Sequence, residues 1–435
     1  MLRRLGPSAV RAGETSSPAL FASRLEFNPP AHGTWNIVHI GMLVPQAHQI
    51  YVCALNCMRG VVLTAAEMGA QDRFSCVVLH EEDITRGTVE QVTLEGIRDV
   101  LRKLPELPPC VIVFPVCTHL FLGVPMGRVY RQLEEEFPRV DFVRAWMDPI
   151  SKRRMIPDKR LRKVMYDPLR PCDPDEGLVV HLGSDHALAD DCDLRGLLAA
   201  GGMRLRSIHD CATYDEYRGL AHAGTFVSTY PNGSYGAQAC AERLGRRHLY
   251  LPGSFSYDEI EAQERQVCSE LGLPVPDFAT RRASCDKALA DAREAVGDTP
   301  LAVDALAHPR PLGLARLLLE HGFDVREVYL DAVNPEEEDE LSWMRTHAPE
   351  VELSATVLPD LRVAPRVRER EMLAIGQRAA WFTGTSHFVN IVQGGSLWGF
   401  AGVREMARLV AEAAGCERDA RDLIVRKGLG CESCI

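Results

Sequence analysis

Residues 89–117, VEQVTLEGIRDVLRKLPELPPCVIVFPVC, contain the pattern from which the class of fold can be predicted. Its first part repeats apolar residues every three or four positions between Val92 and Leu104, which is typical of a helix with one buried face. Its second part, Val111–Val116, is a continuous apolar run and is typical of a buried strand. A helix followed by such a strand is the repeating unit of a parallel α/β sheet.

The same alternation continues along the chain, so we expect an α/β protein with three units of doubly wound parallel sheet. The first unit is expected to begin with a strand at Asn36–Met42, and the third to contain a helix at Met372–Ala379 and a strand at Ala380–Gly384. A linker rich in proline and charge is expected at 148–176. The predicted limits are a mobile N-terminal arm at 1–34, α/β domains at 35–172, 173–297 and 298–415, and a tail at 416–435.

The composition restricts the class of protein. The 435 residues are 46% hydrophobic and 25% charged, close to the average of globular proteins. Lys and Arg number 49 against 60 Asp and Glu, and the net charge of −11 argues against nucleic acid or an anionic membrane as partner. No apolar run reaches the roughly 18 residues of a membrane-spanning helix. Residues 1–24 show no secretory signal, so we expect a cytoplasmic protein.

Fourteen cysteines are notable in such a chain, because clustered cysteines in the cytoplasm point to metal, iron–sulfur or redox sites. Cys53 and Cys57 lie where the chain turns from a strand into a helix, and Cys117 directly follows the buried strand. Ligands of parallel sheets gather at the carboxyl ends of strands, so these thiols can face one point and hold iron. The alternative is that all three are small core residues.

Other residues carry weaker signals. His119 lies two residues after Cys117 and is a candidate proton donor, with a hydrogen-bonded structural role as the alternative. Cys431 and Cys434 form a C-x-x-C pair in the tail, which supplies ligands, forms a labile disulfide or has no role. The chain has no G-x-x-x-x-G-K-[ST] motif, so we do not expect it to hydrolyse ATP.

Several segments resemble the nitrogenase component 1 family. CALNCMRGVV (Cys53–Val62) is similar to the segment that carries the first cysteine of that family's bridging cluster. HEEDITRGT (His80–Thr88) is similar to its acidic loop, and CTHLFLG (Cys117–Gly123) to a cysteine followed by an apolar stretch and glycine. With GMRLRSI and GGSLWGFAGVREMARLV in the same order, the resemblance covers residues 35–415.

The resemblance implies three Rossmann-like domains with parallel sheets and an interfacial [4Fe–4S] cluster. Cys53 and Cys117 carry over as ligands, and Cys57 is favoured over Cys76 as the third. The implied partners are a paralogous component 1 subunit or a second copy of the chain, and an ATP-dependent reductase similar to the nitrogenase iron protein.

The chain also departs from the family's pattern. It lacks the Gly-Pro-x-Gly-Cys loop that carries the second cluster cysteine. Thr229 stands at the position of the cysteine that holds the molybdenum–iron cofactor, and Val389 near that of the histidine, with His387 displaced. Both protein ligands of that cofactor are therefore missing. The resemblance implies a nitrogenase-like oxidoreductase that passes low-potential electrons to an unidentified substrate and does not reduce dinitrogen.

Two other classes remain open at this point. One is a scaffold or assembly protein for a metal cluster or tetrapyrrole cofactor, which needs the same cysteines but turns over no substrate. The other is an α/β binding protein without a cluster, in which the cysteines are inert. Visible absorption of anaerobically purified protein separates the binding protein without a cluster from the oxidoreductase and the scaffold, because thiolate-bound iron absorbs visible light.

Overall fold

The computed structural model describes residues 8–16, 20–21, 37–148, 155–364 and 370–419. The predicted C-x-x-C pair, Cys431 and Cys434, lies outside these residues. Fourteen strands occur in the described ranges, in chain order: β1 (Ala9–Arg11), β2 (Ala47–Cys53), β3 (Phe74–Val78), β4 (Cys110–Pro115), β5 (Asp141–Arg144), β6 (Asp175–His181), β7 (Arg204–Ser207), β8 (Ala223–Ser228), β9 (Arg247–Tyr250), β10 (Leu301–Asp304), β11 (Val325–Tyr329), β12 (Glu352–Ser354), β13 (Leu373–Ile375) and β14 (His387–Val389).

Helices connect these strands. The α-helices of the described ranges are α1 (Ile37–Met42), α2 (Leu55–Glu67), α3 (Glu81–Thr85), α4 (Val89–Lys103), α5 (Cys117–Phe121), α6 (Met126–Glu136), α7 (Pro157–Val164), α8 (Asp193–Ala200), α9 (Tyr214–Gly219), α10 (Pro231–Leu244), α11 (Tyr257–Leu271), α12 (Phe278–Val296), α13 (Pro311–Glu320), α14 (Glu338–His347), α15 (Pro359–Val363), α16 (Gln377–Thr383) and α17 (Gly399–Gly415). None of these helices has the combined length and apolarity that crossing a membrane requires.

The described strands form three sheets. Their strand orders are β3-β2-β4-β5, β7-β6-β8-β9 and β1-β12-β11-β10-β13-β14. All neighbouring strands run parallel except β1, which is antiparallel to β12. The predicted α/β class with several parallel sheets is confirmed.

The chain divides into two compact units. The two-sheet unit comprises the described residues of Pro29–Ala187 and Arg204–Leu251 and contains the first two sheets. The one-sheet unit comprises the described residues of Met1–Asn28, Leu188–Met203 and Pro252–Lys427 and contains the third sheet. These limits differ from the predicted domain limits, because α8, α11 and α12 fall within the predicted second domain but belong to the one-sheet unit.

The two central strands of the first sheet are buried on both faces. Every residue of the neighbouring strands β2 and β4 is buried, so both faces of the sheet are covered. One covering helix is α4, which buries Leu94, Ile97 and Leu101 along one face at the spacing expected from the sequence. Strands buried on both faces read as continuous apolar runs, and this made β4 easy to recognise.

The expected first strand at Asn36–Met42 is wrong, because residues 37–42 form helix α1 and the first strand of this sheet is β2. The described part of the segment is buried throughout, and a short run without a polar face does not separate helix from strand. Strand β2 was not recognised in the sequence because it contains the polar residues His48 and Gln49. Both are buried, and both have hydrogen-bond partners. Gln49 Nε2 donates to Val38 O at 2.9 Å, and His48 Nε2 lies 2.8 Å from Ser75 Oγ.

The expected helix and strand at 372–384 are reversed. Leu373–Ile375 forms β13, which pairs with β10 and β14, and Gln377–Thr383 forms α16. Gly376 separates them with φ of 110°, a backbone conformation that only glycine adopts easily. Two segments that were not expected to contain regular secondary structure do contain it. Helix α7 lies in the predicted linker, and strand β1 lies in the predicted N-terminal arm.

Candidate metal centre

Two of the predicted cysteines lie at the ends of neighbouring strands. β2 ends at Cys53, and the preceding residue, Val52, is in register with Pro115 at the end of β4. After Val116, helix α5 begins at Cys117. Because β2 and β4 are hydrogen-bonded and parallel, both cysteines lie at the carboxyl edge of the first sheet.

Cys57 lies on the helix that leaves the same edge. Helix α2 begins at Leu55, and the Cys57 amide donates to Ala54 O at 3.0 Å in its first turn. Cys53 is buried, Cys117 is half-buried and Cys57 is exposed. The three free thiols therefore extend from the sheet interior to the protein surface.

The thiols influence one another electrostatically. Burial raises the pKa of Cys53 well above its ordinary value, and the neighbouring Cys57, Cys76 and Cys117 raise it further. Burial also raises the pKa of Cys57, with Cys117 as the second cause. Two adjacent thiolates repel each other, so Cys53 and Cys57 stay protonated at neutral pH unless a cation is bound. Coordination to a metal would favour the thiolate over the thiol, because metals bind the deprotonated form of cysteine.

This donor set fits an iron–sulfur cluster, since such clusters are held by cysteine thiolates. Within the ranges that the structure describes, no group of three or more His, Cys, Asp or Glu side chains is placed to hold a metal ion. Cys53, Cys57 and Cys117 are thus neighbours at one edge of a sheet rather than an assembled single-ion site.

Cys76 is the other candidate for a third ligand. It lies within β3, in register with Tyr51, and its side chain packs against the core of the two-sheet unit. Burial raises the pKa of Cys76 to about 11. Cys57 lies on an exposed helical turn and is therefore better placed to reach a group shared with another chain.

His119 is buried and does not present its ring to solvent. Its Nδ1 accepts the Val116 backbone N–H at 3.2 Å, and its Nε2 lies 3.0 Å from Thr93 Oγ1. The Thr93 hydroxyl donates to Val89 O at 2.7 Å, so Nε2 carries the ring proton and donates to Thr93. Burial lowers the pKa of His119 to about 4, so the ring is neutral at neutral pH. This geometry fixes the start of α5, and with it Cys117, and gives no support to the expected role as proton donor.

The positions that depart from the family's pattern have partners of their own. Thr229 follows β8, and its Oγ1 lies 2.9 Å from His181 Nε2 at the end of β6. In the one-sheet unit, Val389 is buried in β14, and His387 Nδ1 lies 3.0 Å from Ala413 O. Neither Thr229 nor Val389 supplies a thiol or an imidazole.

A buried ion network in the two-sheet unit was not foreseen from the sequence. Arg162 on α7 is fully buried; its Nε donates to Asp158 Oδ1 at 2.5 Å, its Nη1 donates to Gly183 O at 2.8 Å, and its Nη2 donates to Asp185. Its guanidinium lies 5.1 Å from the centre of the Tyr230 ring. Burial raises the pKa of Asp158, whereas Arg162 outweighs the effect of burial and lowers the pKa of Asp185.

The sequence did contain a signal for this network. Pro157 followed by Asp158 and Arg162 places a proline at the first helical position and an ion pair at a spacing of four residues. This signal was missed because the whole of residues 148–176 was interpreted as a linker.

No protein-family model matches the chain, and no curated protein matches it. Solved structures do match. The chain is similar to "Nitrogenase Cp1 at pH 6.5", with a TM-score of 0.65 and 12% sequence identity over 92% of this chain and 95% of that chain. It is also similar to "Nitrogenase Cp1 at pH 5", with a TM-score of 0.59 and 12% identity over 94% of each chain. The resemblance expected from the sequence is confirmed at the level of the fold.

Proposed function

We propose, on the premise that the chain has the fold of nitrogenase component 1, that it is a subunit of a nitrogenase-like oxidoreductase. It passes low-potential electrons through an interfacial [4Fe–4S] cluster to an unidentified substrate. A paralogous subunit or a second copy of the chain completes the cluster site. An ATP-dependent reductase similar to the nitrogenase iron protein supplies the electrons.

The observation that supports this proposal most strongly is the placement of Cys53 and Cys117. Sixty-three residues separate them along the chain, yet they lie at the ends of adjacent parallel strands. Burial and neighbouring thiols raise the pKa of Cys53 and of the nearby Cys57, so both are unfavourable as thiolates without a cation. A site of this kind is suited to a metal and poorly suited to a free nucleophilic thiolate.

Each thiol has a distinct part in holding the cluster. Cys53 anchors it to the rigid end of β2, while Cys117 holds it from the first turn of α5, which His119 and Thr93 keep in place. Cys57 reaches it from the exposed turn of α2. When bound, a [4Fe–4S] cluster takes up and releases one electron, at a potential set by its hydrogen bonds and solvent exposure. The buried strand ends limit that exposure on the side of the sheet.

Anaerobic purification followed by iron and sulfide analysis tests the proposal. We expect about four iron atoms per cluster and broad visible absorption. Cys53→Ala and Cys117→Ala should each lose both, and Cys57→Ala should lose more iron than Cys76→Ala. Cys240→Ala is the matched control, because Cys240 is buried on helix α10 of the same unit. Urea unfolding of each variant shows whether it has folded.

Retention of iron and colour by the Cys53→Ala, Cys117→Ala double variant refutes the cluster site. The reductase is then separated from the scaffold by reducing the iron-loaded protein with an iron protein, MgATP and dithionite. A reductase subunit shows an ATP-dependent change in its paramagnetic resonance spectrum. A protein that only assembles a cluster shows none that depends on ATP.

A further inference from the structure

Helix α8 is held in the one-sheet unit by a carboxyl group at its first residue. In the chain it lies between β6 and β7, which belong to the two-sheet unit, yet α8 itself belongs to the one-sheet unit. Asp193 is 8% exposed, and its Oδ2 accepts the Ala401 N–H at 2.7 Å in the first turn of α17. A Cβ at Gly399 would lie 2.6 Å from the same oxygen, so glycine leaves the room that this contact needs. The start of α8 is therefore fixed against the start of α17.

Arg281 connects Asp193 to a second, fully buried carboxyl group. On α12, Arg281 Nη1 lies 3.3 Å from Asp193 Oδ1 and also donates to Glu264 Oε2 on α11. Glu264 is 0% exposed, and its Oε1 is buried without a hydrogen-bond partner in the part of the chain that the structure describes. Two carboxyl groups therefore share one guanidinium. This arrangement favours the protonated form of Glu264, because a buried charge is costly unless its oxygen atoms are paired.

Charged groups on each of the surrounding helices act on Glu264. Burial, followed by Asp193 on α8, raises the pKa of Glu264 to about 8. Arg281 on α12 and Arg404 on α17 oppose this rise, whereas Glu261, one turn earlier on α11, adds to it. The two arginines do not outweigh burial, so Glu264 keeps its proton at neutral pH and loses it in mildly alkaline solution.

We propose that Glu264 is a pH-sensitive latch for α8: while it holds its proton α8 stays docked, and loss of that proton above neutral pH lets α8 open locally. An ionised Glu264 repels Asp193, and opening relieves this repulsion by exposing the carboxylate to water. In the open form Glu264 ionises near its ordinary pKa of 4.5, so opening releases one proton between pH 4.5 and about pH 8. Docking is therefore strongest at low pH and weakens as the pH rises to about 8. Cys268, one turn later on α11, takes no part, because burial raises its pKa and keeps the thiol neutral.

Hydrogen exchange of the full chain, measured by mass spectrometry on the peptide that covers residues 194–200, tests the latch. Leu194, Leu197 and Leu198 are buried, so the amides of α8 exchange when the helix opens. Relative to the intrinsic exchange rate, protection should fall by up to about tenfold for each pH unit between pH 6 and pH 8 and then level off, because opening releases one proton. Glu264→Gln should abolish this dependence, since the amide cannot ionise and still accepts the Arg281 N–H.

Glu337→Gln is the matched control, because it removes another buried carboxyl group of the one-sheet unit whose pKa is raised to about 8. It should leave the pH dependence of α8 unchanged. An equal loss of that dependence in this variant means that α8 exchanges through unfolding of the whole unit, and it overturns the inference.

A second variant keeps the test decisive if Glu264→Gln does not fold. Asp193→Asn retains an acceptor for the Ala401 N–H but removes the charge that raises the pKa of Glu264, so protection should level off at a lower pH than in the wild type. Wild-type protection that stays constant between pH 6 and pH 8, or that depends on pH equally in Glu264→Gln, overturns the inference. None of these outcomes depends on iron, so the latch and the proposed function can fail separately.

Discussion

Glu337 makes the stability of the one-sheet unit depend on pH. It precedes α14 and is 1% exposed, and its Oε1 accepts the Gly313 backbone N–H at 2.9 Å. Burial raises the pKa of Glu337 to about 8; Gly313 and Arg310 oppose the rise, and Glu340 adds to it. Arg310 is already bound by Glu259 and Glu340, so it cannot fully neutralise a third carboxylate.

The sign and size of the effect follow from the two states. In the unfolded chain Glu337 ionises near its ordinary pKa of 4.5, while in the folded protein it keeps its proton up to about pH 8. The contribution of Glu337 to the free energy of unfolding is therefore fully present below pH 4.5. It declines as the pH rises and is lost above pH 8. At about 1.4 kcal/mol for each pKa unit, the loss amounts to about 5 kcal/mol.

Glu337→Gln should remove this dependence, because the amide resembles the protonated carboxyl and still accepts the Gly313 N–H. In urea unfolding between pH 5 and pH 9, the variant and the wild type should differ little at pH 5. At pH 9 the variant should be more stable by up to about 5 kcal/mol. Glu338→Gln is the control, because Glu338 is exposed and loses the same charge. A difference that stays constant across this pH range would refute the reasoning.

Three further variants test other parts of the two-sheet unit by urea unfolding. Arg162→Met leaves the buried Asp158 and the partly buried Asp185 without their cation and should lower the free energy of unfolding by about 3–5 kcal/mol; a loss below about 1 kcal/mol contradicts the network. His119→Phe leaves a backbone N–H without its acceptor and should cost about 1–3 kcal/mol and reduce iron retention, whereas unchanged iron content argues against its positioning role. Gly233→Ala places a Cβ 2.0 Å from Gly183 O, so it should cost at least about 1–3 kcal/mol, while Gly127→Ala, with no atom within 4 Å, should be neutral or stabilising.

The sequence predicted those parts of the fold in which local pattern and tertiary environment agree. β4 is buried on both faces and consists almost wholly of apolar residues, so its environment is visible in the sequence. Cys117 follows that strand directly, and the rule that ligands gather at carboxyl ends located it correctly at the sheet edge. Cys53 was likewise placed at a strand end, although the strand itself was assigned to the wrong residues.

The remaining features depend on contacts between distant residues. β2 contains His48 and Gln49 because Ser75 and Val38 provide their hydrogen bonds, and neither partner can be known from the strand alone. The hydrogen bond that holds the His119 ring could not be predicted for the same reason, since its partner Thr93 lies 26 residues away. Short elements such as β13 owe their form to the strands beside them, which local propensity does not represent.

The pairing of β1 with β12 has a practical consequence for handling the protein. Ala9–Arg11 covers the outer backbone of Glu352–Ser354, and Ala12 and Ser8 extend the contact with hydrogen bonds of 2.9 and 2.8 Å. Trimming the chain beyond residue 11 would uncover this row of amide and carbonyl groups. A bare strand edge recruits strands from other molecules, so a shortened protein should be prone to aggregate during expression and concentration.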